Sequence, residues 1–232
     1  MRLLSERLLL QAVIFDVDGT LLDSNDLHAQ AWQRAFKHFG YDIPYDELRS
    51  QIGKGGDNYI PHFLKPEDNA KFGPELDHYK SQLFKREYAS QIVPFPGVRE
   101  LFERIRNQGL RIAFATSSKG EELAQYKRLL NVDDLVDEET SKDDAESSKP
   151  APDIFAAALK RLRLNPADAI AVGDTPFDAQ ACTKIGLPII GMLSGGFSEA
   201  ELLEAGCFAI YEDTEDLLER FDRSPLVPEK AA

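Results

Sequence analysis

The sequence predicts an α/β protein: a parallel sheet with crossover helices, interrupted near its start by an inserted all-helical unit. Three observations carry this. A short apolar run, Ala12-Val13-Ile14-Phe15, has the composition of a buried strand. From residue 110 onward, strand-like runs alternate with helical patterns. Between them, over residues 25–90, apolar residues recur at helical spacing and no convincing strand appears.

In chain order, residues 11–15 form the first strand-like run. Residues 25–39 carry Leu27, Ala31, Ala35 and Phe39 as an i+4 ladder, with Ser24 a candidate N-cap and Gly40 a stop. Residues 45–52 and 74–89 read as two more helices, with a shorter helical piece at 58–64. The run "LRIAFATSS" (110–118) is the next strand and leads to a helix at 121–130. Then "DLVD" precedes a helix at 153–163, "AIAVGD" one at 177–185, "PIIGM" one at 198–205 and "CFAIY" one at 214–221. A parallel sheet needs such crossover helices. The domain division is a catalytic core in 1–23 and 91–232 with a helical unit in 24–90. The hinges fall at 23–24 and in "IVPFPG" (92–97), where two prolines stiffen the return. There are no internal repeats, and the tail "SPLVPEKAA" is expected to fray.

The chain has 232 residues, enough for a full core, and its 43% hydrophobic and 29% charged content is that of a water-soluble globular protein. A net charge of −13 argues against a nucleic-acid backbone as partner, which needs clustered Lys and Arg. An anionic substrate is still admitted, because salt screens the overall charge beyond about 8 Å, provided the site itself is positive. The apolar run near residues 8–15 is too short to span a bilayer, and no signal-peptide cleavage pattern follows it. Only Cys182 and Cys207 are present, outside any metal-ligand spacing, so reduced thiols and a cytoplasmic location are the expectations; the sequence leaves the oligomeric state open, with a monomer as the default.

In open α/β sheets ligands collect at the carboxyl ends of the strands. The first strand ends in Asp16, Asp18, Gly19 and Thr20; the carboxylates sit at period two, so both point one way while the chain stays extended. The second ends in Thr116, Ser117 and Ser118, the loop after the third delivers Lys149 beside Pro150, and the fourth ends in "GDTPFD" with Asp174 and Asp178. Such a set can bind a hard divalent cation and a phosphate together, and oxygen ligands select Mg²⁺. Asp16 and Asp174 are the natural direct ligands, while Asp178 orients metal-bound water or Lys149. Asp16 can then attack phosphorus as a carboxylate nucleophile, giving an acyl phosphate. Asp18 can protonate the leaving oxygen and later deprotonate water. Thr116, Ser117 and backbone N–H groups at Asp18 and Gly19 would hold the transferring oxygens, with Lys149 stabilising their charge. Any one motif alone reads blandly, as a solvated turn, a strand end, a surface lysine or an N-capped helix. Four in one consistent order past four strands do not.

"DVDGTLLDS", "ATSS", the lysine of "SSKPAPDIF" and "VGDTPFDA" resemble the four signature motifs of the haloacid dehalogenase-like hydrolase superfamily. The resemblance covers essentially the whole chain. It implies a Rossmann-like core, Asp16 as nucleophile and Asp18 as acid/base. It also implies Mg²⁺ held by Asp16, the Asp18 backbone carbonyl and Asp174, with Thr116 and Lys149 on the phosphoryl group. The helical insert is similar to the cap of the phosphoglycolate phosphatase and β-phosphoglucomutase branch.

The reading is therefore a Mg²⁺-dependent phosphatase for a small phosphorylated metabolite. Dehalogenation needs no acid for a halide, so Asp18 argues against it. A non-catalytic binding module has nothing in its favour, since every catalytic position is filled. The close alternative is a phosphomutase. "GKGGD" (53–57) resembles a phosphoglycolate phosphatase cap loop, from which Lys54 would contact the substrate's remote group. "DSNDLHAQAW" resembles the start of the mutase cap, where a histidine at the position of His28 couples acid catalysis to closure. By its spacing His28 falls on the exposed side of the first cap helix. Trp32, Phe36 and Phe39 read as packing, and the acidic run at 132–146 as a solvated loop.

Overall fold

The computed structural model describes residues 10–227, apart from Lys119 and the side chain of Glu121. In chain order the elements are β1 (Ala12–Phe15), β2 (Leu22–Asp23), α1 (Asn25–His38), α2 (Tyr45–Arg49), α3 (Gly56–Phe63), α4 (Pro66–Glu87) and β3 (Val93–Pro94). There follow α5 (Val98–Asn107), β4 (Arg111–Ala115), α6 (Gly120–Leu130), β5 (Glu138–Thr140), α7 (Asp153–Leu162) and β6 (Ala169–Gly173). The chain closes with α8 (Pro176–Lys184), β7 (Ile189–Met192), α9 (Glu199–Ala205), β8 (Ala209–Tyr211) and α10 (Thr214–Glu219).

Six strands form one parallel sheet in the order β5-β4-β1-β6-β7-β8. Counted along the chain this is the doubly wound Rossmann-like order, whose direction reverses between β1 and β6. Both neighbours of β1 are strands and both faces are covered, which is why its four residues are all apolar and fully buried. Val13, Phe15, Ile112 and Phe114 point to a face packed by α5, α6 and α10. Ala12, Ile14, Ala113, Ala115 and Ala171 point to the other, where the small side chains of the four alanines admit Ile154, Phe155 and Ala158 of α7. Period-two alternation of bulky and small residues thus sets which helices pack where.

Four helices lie between the two-residue antiparallel strands β2 and β3, with a core of their own around Trp32, Phe36, Leu48, Tyr59 and Leu76. The short ribbon closes the base of this unit, and isolated residues so near hinge prolines carry no strand signal in the sequence. α4 begins eight residues before the expected start, because Pro66 at the first turn with Glu67 and Asp68 is a strong initiator and Pro74 is tolerated inside. α5 has no place in the sequence alternation above, although Val98, Leu101, Phe102 and Ile105 have helical spacing and are buried. The third sheet strand is not "DLVD" but the three residues after it. Leu135 and Val136 tuck against the core as a turn, and Glu138 and Glu139 are tolerated because β5 is an edge. The acidic run is therefore part edge strand and part capped turn at Lys142–Asp144, rather than wholly a solvated loop.

Within the tail, Ser224 and Leu226 are buried against the core, while residues 228–232 lie outside the described residues. Cys182 and Cys207 are buried free thiols. Among the described residues no helix is long and apolar enough to cross a membrane.

Candidate active site

The tips of β1 and β6 bring the first and fourth motifs together at the sheet's reversal point. Asp16, Asp174 and Asp178 are buried, and each offers a carboxylate oxygen within 4.8 Å of the others. Lys149 reaches in from the loop after β5. Its ammonium contacts Asp16 Oδ1 and lies 2.6 Å from Asp178 Oδ1. Asp178 accepts at its other oxygen from the Thr175 hydroxyl (2.6 Å) and backbone N–H (3.1 Å), an N-cap box for α8. Its two oxygens thus face Lys149 on one side and the start of α8 on the other. Asp174 accepts from Thr20 Oγ1 and Asn25 Nδ2, each at 2.8 Å.

Three carboxylates face one ammonium here, so the cluster holds its protons tightly. Burial pushes the Asp16 carboxyl well above its usual range, with Asp178 and Asp174 adding to it against the pull of Lys149. Burial and Asp178 raise Asp174 to about 7, against the hydrogen bonds from Thr20 and Asn25. Burial alone would lower Lys149, but Asp16 and Asp178 outweigh it and keep the ammonium charged.

Asp18 turns away from this cluster. Its Oδ1 accepts from Ser24 Oγ (2.7 Å) and His28 Nε2 (3.1 Å), and its Oδ2 from Ser118 Oγ (2.8 Å). An ammonium can only donate, so Lys80 Nζ, 2.9 Å from His28 Nδ1, fixes the tautomer that carries its proton on Nε2. Burial opposes ionisation of Asp18, yet His28, Ser24 and Ser118 prevail and hold its carboxyl well below the usual range. Burial, then Lys80, lowers His28. Both carboxylate oxygens of Asp18 are thus hydrogen-bonded on the side away from the cluster.

His28 is not on the exposed side. Its side chain is 12% exposed and stacks on Phe84 with ring centroids 3.9 Å apart. The i+4 ladder of Leu27 and Ala31 understates the buried arc of α1, because the helix faces both α4 and the sheet tips, burying Asn25, Ala29, Trp32 and Phe36 as well. Lys54 does lean over the core. Its Nζ lies 4.6 Å from the Phe177 ring centroid and donates to Gln51 at 2.5 Å. Thr116 is buried and, with Ser117, lines a cavity of about 100 Å³ that also touches Asp16, Lys149, His28 and Lys54.

Gly19 does not offer its N–H, which donates to the Leu22 carbonyl at 2.8 Å. The tight reversal after Asp18 uses that donor locally. What Gly19 supplies is conformation: φ is +82°, and a Cβ would collide with the Asn25 amide and the Asp174 carboxylate. Gly19→Ala is expected to cost about 2–3 kcal/mol, lowering the melting temperature by several degrees; an unchanged melt would contradict this packing.

Asn25 and Lys80 are site residues that the sequence reading passes over, and Thr20, named there at the end of the first strand without a role of its own, holds Asp174. Asn25 had a signal: it occupies the buried stripe of α1 with Ala29, Trp32 and Phe36, where a polar side chain is out of place. Lys80, 52 positions from His28, had none.

With the geometry in place, comparison with known proteins identifies the chain's class. The chain belongs to the haloacid dehalogenase-like hydrolase family, whose model matches residues 13–192, and is an enzyme of that family. It is 27% identical over 212 residues to a phosphorylated carbohydrates phosphatase of Thermotoga maritima, covering 90% of this chain and 97% of that one. It is 29% identical over 203 residues to a beta-phosphoglucomutase of Bacillus subtilis, covering 80% and 84%. A solved hydrolase from Pseudomonas syringae superposes with a TM-score of 0.83 at 28% identity, covering 92% of this chain and 98% of that one.

Proposed function

We propose that the protein is a Mg²⁺-dependent phosphatase that hydrolyses a small phosphorylated metabolite through an aspartyl-phosphate on Asp16. The observation that carries this is the buried meeting of Asp16, Asp174 and Asp178 with Lys149. Three carboxylates less one ammonium leave two formal negative charges, the complement of a hard divalent cation. Asn25 Oδ1, buried without a partner among the described residues beside Asp174, is an acceptor suited to a hydrated cation. Asp16, Asp174 and the Asp18 main chain would hold Mg²⁺, which lowers repulsion between the nucleophile and a phosphate dianion.

The chain's own residues do the rest. An Asp16 oxygen attacks phosphorus, the bond to the leaving oxygen breaks, and Asp18 gives that oxygen a proton. Water then attacks phosphorus, Asp18 takes its proton, and Asp16 is released with inorganic phosphate. Thr116, Ser117 and Lys149 bind the transferring oxygens. Asp18 as held by His28, Ser24 and Ser118 is in its basic form, suited to the water step; the acid step needs it to leave these donors. The helical unit, 24–90, serves as the cap, with Lys54 on the substrate's remote group.

His28 acts through Asp18 and is a positioning residue. His28→Ala is expected to lower kcat about tenfold to a hundredfold with KM changed less than about threefold. A loss confined to KM would contradict this role. A phosphate-release screen with Mg²⁺ over sugar phosphates, phosphoglycolate and nucleotides tests the whole reading, and silence across it would leave a non-catalytic module. The His28–Asp18 contact beside a small cavity between the helical unit and the core also supports a second reading, a phosphomutase that excludes water from the phosphoenzyme. Conversion of glucose 1-phosphate to glucose 6-phosphate faster than phosphate release would favour it.

A further inference from the structure

The loop that brings Lys149 to Asp16 is gripped by the helical unit, most closely at Ser148. Asp57 Oδ2 accepts from the Ser148 backbone N–H at 3.0 Å. Asn58 Nδ2 donates to the Ser148 carbonyl at 2.7 Å and lies 3.4 Å from the Lys149 carbonyl. Consecutive side chains in the first turn of α3 thus read the main-chain donor and acceptor of a single residue, as a neighbouring antiparallel strand would. Gly55 makes the approach feasible, since a Cβ there would collide with Ser148 Oγ. From the same loop, Lys142 Nζ stands 3.8 Å from Asp57 Oδ1. Core residues also hold this segment: Ser147 N–H donates to Asp153, and the Ser148 carbonyl accepts from Ala151 N–H. The Ser148 N–H itself is satisfied from the helical unit.

We infer that Asp57 and Asn58 are positioning residues that set Lys149, so that phosphoryl transfer proceeds only with the helical unit seated on the core. The inference rests on the function proposed above, in which Lys149 binds the transferring oxygens. Lys149 bridges Asp16 and Asp178 while its preceding residue is pinned from across the site. Lifting α3 removes both side-chain hydrogen bonds at Ser148, and the ammonium loses the support that fixes its reach. Displacements of about 1 Å at a catalytic group cost on the order of a hundredfold in rate. This is a coupling of closure to chemistry through backbone contacts, separate from any contact between the helical unit and substrate.

The test compares Asp57→Ala, Asp57→Asn and a control, Arg49→Ala. Arg49 also ties the helical unit to the core, donating to the Gly195 carbonyl at 2.5 Å, but beside Asp174's loop rather than Lys149's. Asp57→Ala is expected to lower kcat at least about tenfold with KM changed less than about threefold. Asp57→Asn, whose amide oxygen still accepts from Ser148, should recover most of that loss. In a Lys149→Ala background Asp57→Ala should add little, whereas Arg49→Ala should keep its full effect, because residues acting as one unit are not additive. Independently of turnover, amide exchange at Ser148 should speed up at least about tenfold in Asp57→Ala and not in Asp57→Asn. An active parent with unchanged kcat in Asp57→Ala, equal losses in the two Asp57 variants, or full additivity with Lys149→Ala would each overturn the inference. A parent inactive on every phosphorylated substrate would instead overturn the proposed function, and this inference with it.

Discussion

Asp16→Asn is expected to lower phosphate release at least about 10⁴-fold, on the order of 5 kcal/mol of transition-state stabilisation. The amide keeps the shape of the side chain and an oxygen for Lys149, but it is no nucleophile toward phosphorus at neutral pH. Loss of fold is not the cause in this account. Lys149 retains Asp178 at 2.6 Å, and one of three crowded buried carboxylates has been neutralised. In chelator, the variant should therefore melt no lower than the parent. Retention of activity within tenfold would remove Asp16 from the covalent role, and a large drop in melting temperature would make the activity loss uninformative about chemistry.

Magnesium is expected to stabilise the protein substantially and to be required for turnover. A ligand at a hundredfold excess over its Kd, bound only to the folded state, adds about 2.7 kcal/mol, which for a chain of this size raises the melting temperature by about 5–10 °C. The reason is the charge imbalance: Asp16, Asp174 and Asp178 are buried at mutual ligand distances with Lys149 as their cation. Chelator should abolish phosphate release, and Asp174→Asn should lose both the melting shift and the activity. No shift with magnesium, together with full turnover in chelator, would contradict a metal at this cluster.

The part of the site built by the sheet was legible in the sequence. Asp16, Thr116 and Asp174 follow β1, β4 and β6, whose parallel pairing leaves their carboxyl ends side by side. The same reasoning reaches Lys149 even though "DLVD" lies several residues before β5, because position after a strand matters more here than the strand's limits. What the sequence hid depends on how the helical unit sits on the core. Lys80 meets His28, and Asp57 meets Ser148, across separations of 52 and 91 positions, and no local periodicity reports such contacts. The ladder of Leu27, Ala31, Ala35 and Phe39 puts His28 on the wrong side, because one row of apolar residues marks only part of the buried arc of α1. Gly19 shows the converse limit. Its residue type pointed to an accessible backbone donor, whereas the turn it makes possible consumes that donor at Leu22. α5 was readable from Val98, Leu101, Phe102 and Ile105, whose spacing marks one helical face packed on the sheet.

The attack of Asp16 on phosphorus is most directly tested by acid-quenching the enzyme during turnover and locating the phosphoryl group by peptide mass spectrometry. The account expects the added mass on the peptide containing Asp16, at Asp16 itself, and its disappearance in Asp16→Asn. A phosphoryl group on any other side chain during productive turnover would contradict it.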